Sequence, residues 1–189
     1  MDRRNFLFTG AGTVAGLTLP GWASAIGILP GESPLAILRP SAIPNAVNVA
    51  NALAGTLSGI GQSSCQLNVD GSDTQSAISI LSAPNCSRWL AILDPAGAVI
   101  VGELARSLGL GFRWSGQHAI AGGSTHHHGS VAGLDESFNW QADSQDWEKQ
   151  LAQFYFGILT GSAPRVQVEA PREEAGQVSL RLACLLLTK

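Results

Sequence analysis

Between Asn45 and Ile60 the apolar residues Val47, Ala50, Leu53, Ala54, Leu57 and Ile60 recur at three- and four-residue intervals. That spacing is one face of an α-helix, and its small side chains suit close packing. Gly61-Gln62-Ser63-Ser64 ends it. A second helical stripe lies in Ser144 to Thr160, where Trp147, Leu151, Phe154, Tyr155, Ile158 and Leu159 fall on one face and Gly161 marks the stop. A third starts with Asp94 as N-cap and Pro95 at the first helical position, and Gly109 stops it. Val101, Leu104, Ala105 and Leu108 give this helix its apolar face.

Shorter apolar runs predict strands. "SAISILS" (76–82) and "RWLAIL" (88–93) flank an Ala83-Pro84-Asn85 turn, and "GFRWSG" (111–116) resumes after the third helix. Strand, capped helix and strand make a β-α-β unit over 88–116. The chain closes with "RVQVE" and "VSLRLACLLL", an expected antiparallel hairpin. In its second strand Val178, Leu180, Leu182, Cys184 and Leu186 share one face. The apolar character of both faces near its end calls for a central or covered strand. Residues 121–137 are loop by composition, and four prolines in 26–44 exclude a long helix there. The expectation is a mixed α/β (α+β) fold: one domain over 45–189, about five strands in a mixed sheet with about three helices packed on it. A proline-rich extended lead-in, 26–44, precedes it.

The first twenty-five residues stand apart. Arg3 and Arg4 are followed by an uncharged run from Asn5 to Leu19, then Pro20 and Ala23-Ser24-Ala25, the layout of an export signal cleaved after Ala25. Its apolar part is shorter than the ~20 residues of a membrane span. Arg3, Arg4, Phe6 and Leu7 match the pattern Ser/Thr-Arg-Arg-x-Phe-Leu-Lys, so the leader resembles a twin-arginine (Tat) signal; Asp2 and Phe8 depart from it. The resemblance covers the leader alone. It implies passage through the Tat export machinery to the periplasm after folding in the cytoplasm, with a cofactor or a larger exported partner acquired there.

Composition narrows the partners. Removal of the leader leaves nine basic against thirteen acidic residues, with no basic run, so nucleic-acid binding has no support. Charged residues are 13% of the chain, about half the usual share, which suits an exported protein or one partly covered by a partner. Of three cysteines, Cys184 falls on the core face of a strand, which leaves Cys65 and Cys86, in turn-like settings, as the expected disulfide of an oxidising compartment.

Candidate chemistry centres on "GGSTHHHGS" (122–130). Alternation along an extended segment lets His126 and His128 face one ion with His127 turned away; His118 would add a third imidazole and Asp135 or Glu136 a carboxylate. Such a set suits Zn, Cu, Fe or Ni. Against it stands a solvated polar loop. Ser115, His118 and Asp94 form a conceivable hydrolase triad without a G-x-S-x-G elbow, and Asp94 is more simply a cap. Phe138 and Trp140 fit no periodic element and are candidate interface anchors. Three function classes follow: a non-catalytic exported accessory or binding protein, such as an auxiliary subunit of an exported redox enzyme; a transition-metal-binding protein or small metalloenzyme; and a cofactor-free hydrolase.

Overall fold

The computed structural model describes residues 34–70, 73–121, 124–131, 137–143, 146–160 and 180–189, with 120–121, 124–131 and 137–143 described by their backbone pairing. Seven strands and four helices follow one another among these residues: β1 (Leu35–Arg39), α1 (Pro44–Gly59), β2 (Ser64–Asn68), α2 (Thr74–Leu81), β3 (Arg88–Leu93), α3 (Pro95–Ser107), β4 (Gly111–Ala121), β5 (Ser124–Val131), β6 (Ser137–Asp143), α4 (Trp147–Thr160) and β7 (Leu180–Thr188). The expected mixed α/β class holds, with more elements than the sequence pattern suggests.

All seven strands form one sheet in the order β2-β1-β3-β7-β4-β5-β6. β1 is parallel to both β2 and β3; β7 is antiparallel to β3 and β4, and β4, β5 and β6 form an antiparallel meander. In the β3-α3-β4 unit the two strands run in the same sense, with β7 inserted between them. The expected central, covered position of the last strand is therefore realised, and Leu182 to Leu187 are all buried.

Strand alternation sends the two faces of the sheet into separate cores. Leu35, Ile37, Leu90, Ile92, Trp114, Leu182, Cys184 and Leu186 pack under α1 and α4. Ala36, Leu38, Trp89, Ala91, Leu93, Ala183, Leu185 and Leu187 pack under α2 and α3. Each fully buried Leu or Ile contributes about 1.5–3 kcal/mol of transfer free energy, so the helices are held mainly by these two layers. All six residues of the expected α4 stripe are buried. On α1 the buried face is turned toward Ala46, Val49, Ala50, Leu53 and Leu57, with Val47 and Ala54 at its margin and Ile60 beyond the helix end.

The capped α3 is as expected: Asp94 Oδ1 accepts from the Gly97 N–H at 2.9 Å, and Gly109 ends the unit at φ +72°, a conformation that favours glycine. Leu108, expected on the buried face, is exposed at the C-cap. Asp94→Ala is expected to cost about 0.5–2 kcal/mol in urea denaturation, with Asp94→Asn close to wild type. Equal stability of the alanine variant would remove the cap from the account.

Four segments depart from expectation. Residues 76–82 are helical, because Asp73 caps the Ser76 N–H at 3.0 Å and Ala77 and Leu81, four apart, bury one helical face. Residues 35–39 of the expected lead-in form β1, inside the sheet. Residues 64–68, including Cys65, form the edge strand β2. The expected loop 121–137 contains β5, paired on both sides, and the first residue of β6. The Gly122-Gly123 dipeptide between the paired residues Ala121 and Ser124 is a hairpin signal in its own right. The partner strand expected at 165–169 lies outside the described residues.

A β-bulge decides what β4 presents to each core. Phe112 pairs with Leu187 and Trp114 with Leu186, so Arg113 is the extra residue. Phe112 and Trp114, which simple alternation would put on one face, thereby serve opposite cores: Phe112 lies against Gly102 of α3, Trp114 against Phe154 and Tyr155 of α4.

Candidate functional site

The bulge sets the phase for His118. Four residues after Trp114, it shares that residue's face and points into the core beneath α4. There it meets Tyr155 of α4 and Cys184 of β7. Tyr155 Oη contacts both His118 Nε2 and Cys184 Sγ, and the sulfur lies 3.5 Å from Nε2. The His118 and Tyr155 rings meet edge to face at 5.5 Å, and Trp114 closes on Tyr155 at 5.7 Å. All three polar side chains are sealed, with His118 at 1% exposure and the other two at 0%.

Burial also fixes their protonation. It pushes the His118 pKa down to about 3, and it drives the Tyr155 and Cys184 groups upward, Cys184 adding its own charge to the Tyr155 shift. At neutral pH the trio is uncharged. Its hydrogen bonds can run from thiol to phenol to imidazole, or in the reverse sense from imidazole N–H; each direction fills both Tyr155 contacts. A thiol held neutral with no solvent access is a poor nucleophile, so the trio reads as a polar tie between β4, β7 and α4. The sequence placed Cys184 in the core and Tyr155 on the buried stripe of α4. Their meeting with His118 depends on strand order and the bulge, which no local pattern carries.

Of the expected metal set, His118 alone has a described side chain; His126 and His128 are placed by backbone pairing. β5 places His127, not His126 or His128, opposite His118; His126 pairs with Ala119 and His128 with Gln117. Asp135 and Glu136 lie outside the described residues. Among the described residues no group of three or more His, Cys, Asp or Glu side chains is placed to hold a metal ion.

Nor does the hydrolase triad assemble. Ser115 and His118 are three apart on β4 and take opposite faces, while Asp94 is engaged at the α3 N-terminus. Cys65 and Cys86, the pair expected to form a disulfide, are both free thiols in this structure. The buried Cys86 Sγ contacts the Arg88 carbonyl at 3.2 Å, and burial together with the charge of nearby Cys86 pushes the Cys65 thiol up. Phe138 and Trp140 lie on β6, the opposite edge strand from β2, with Trp140 in register with His127. Arg3, Arg4, Phe6 and Leu7 lie outside the described residues. Among the described residues no helix is long and apolar enough to cross a membrane.

The described residues thus form a single-sheet α/β/α sandwich with a closed polar cluster in one of its cores. Comparison with protein-family models, with curated proteins and with solved structures finds no match.

Proposed function

We propose that this chain is an exported accessory or binding protein of the periplasm, non-catalytic, and that it serves as an auxiliary subunit of a larger exported redox enzyme. One observation carries the non-catalytic part. The groups that suggested chemistry have structural commitments: His118 to Tyr155 and Cys184 inside the core, Asp94 to the cap of α3. The Tat-like leader supports the periplasmic address and a partner joined before export. Edge strand β6, bearing Phe138 and Trp140, is the docking surface in this reading, because an edge offers unpaired backbone groups to a partner strand.

The test is purification of the untagged protein exported by its own leader. A larger Tat-dependent protein is expected to co-purify, and to be lost when Phe138 and Trp140 are both changed to Ser. Changing Arg3 and Arg4 to Lys is expected to hold the precursor in the cytoplasm. A monomer that reaches the periplasm with that leader change and without a partner would overturn the reading.

A further inference from the structure

At the edge where β1 and β3 begin, α1 and α4 end and leave an open groove of about 190 Å³. Its walls are aliphatic: Leu35 from the sheet, Leu57 from α1, Leu159 from α4, and Ile60 at the rim. Ile60, 58% exposed, stands at the rim of the groove. Gly61, at φ +75°, ends the α1 segment and turns the chain so that Gln62 joins the lining. The Gln62 N–H returns to the Leu57 carbonyl at 3.0 Å and the Leu35 N–H to Ser63 at 3.1 Å, so this wall is built from fixed backbone.

One lining residue carries a charge. Arg88, half-buried, is the first residue of β3 and pairs in register with Leu35 across the groove floor. A guanidinium has five N–H donors in a planar fork, enough to hold a carboxylate in addition to protein groups. A share of about 30 Å³ per water-sized atom gives the groove room for about six non-hydrogen atoms. A four-carbon aliphatic acid fills that space, a six-carbon one extends past the open rim at Ile60, and a single carboxylate matches the single charge.

We propose that this groove binds a small aliphatic carboxylate, its tail between Leu57, Ile60 and Leu159 and its head on Arg88. The inference deepens the binding reading above and rests on it. The probe is hexanoate, titrated into the full exported protein and followed by calorimetry and by NMR of the leucine and isoleucine methyl groups. Saturable one-to-one binding is expected, with shifts at Leu57, Ile60 and Leu159, and with 1-hexanol about tenfold weaker because it cannot make charge-assisted bonds. Arg88→Gln is expected to erase that preference. Thr160→Trp, at an exposed helix end on the rim, is expected to block the groove with the fold intact, which keeps the test decisive if the Arg88 variant misfolds.

Equal affinity for hexanoate and hexanol, no saturation, or binding that survives Thr160→Trp would overturn the proposal. Hexanoate binding without any co-purifying protein would leave the groove standing and remove the accessory role. A retained partner with no hexanoate binding would do the reverse.

Discussion

Acidification from pH 7 to pH 4 is expected to destabilise this protein by about 3 kcal/mol through His118 alone. The folded state holds the imidazole neutral down to about pH 3, whereas the unfolded chain takes up a proton near pH 6.5. Stability from this group is therefore complete above about pH 6.5 and drains away as the pH falls toward 3. The slope between those limits is about 1.4 kcal/mol per pH unit. Tyr155 and Cys184, which face the ring, stay neutral across the range and cannot offset it. Urea midpoints for wild type and His118→Gln between pH 7.5 and 4 separate this effect from the carboxylates, which both proteins share. Wild type should lose stability more steeply than His118→Gln as the pH falls, by about 3 kcal/mol between pH 7 and 4. Parallel curves would mean that the folded protein can protonate His118.

Trp114→Ala should be the costliest of the core substitutions, at about 3–5 kcal/mol. The indole is fully buried and touches Phe154 at 6.2 Å and Tyr155 at 5.7 Å between centroids, so its loss opens a cavity beside the polar trio. Tyr155→Phe keeps the ring and removes only Oη. It should cost about 1–3 kcal/mol, because His118 and Cys184 then lose their shared partner in a dry site. The two changes meet at one ring, so the double mutant should depart from additivity by at least about 0.5 kcal/mol. Additive losses would show that Trp114 and the Tyr155 hydroxyl act independently.

The parts of the fold readable from sequence are those governed by local chemistry. Asp94-Pro95 and Gly109 bracket α3 because capping, proline φ and a left-handed stop are properties of single residues. α4 shows its six-residue stripe because a helix of that length repeats its period several times. The short run Ala77-Ile78-Ser79-Ile80-Leu81 is too brief to separate a strand from a helix, and Asp73 was the cue that decides it. Residues 124–131 look like loop because glycine, serine and histidine have little strand preference; pairing with β4 on one side and β6 on the other overrides that. Pro34 and Pro40 mask β1 in the same way, as they bound it without entering it. The site was legible only in pieces. Nearness in sequence offered His118 as a third imidazole beside His126 and His128, whereas strand order and the bulge at Arg113 bring it to Tyr155 and Cys184.

The place of β7 has a bearing on how the molecule comes into being. It is made after every other described strand, yet it alone joins β2-β1-β3 to β4-β5-β6. The sequences of both half-sheets are therefore synthesised before the segment that unites them. Domains generally mature as units during synthesis, but here closure must wait for the strand at the centre. Until then the exposed margins of β3 and β4 are what a chaperone would guard. An export route that accepts only finished proteins would hold this one back until those nine residues are in place.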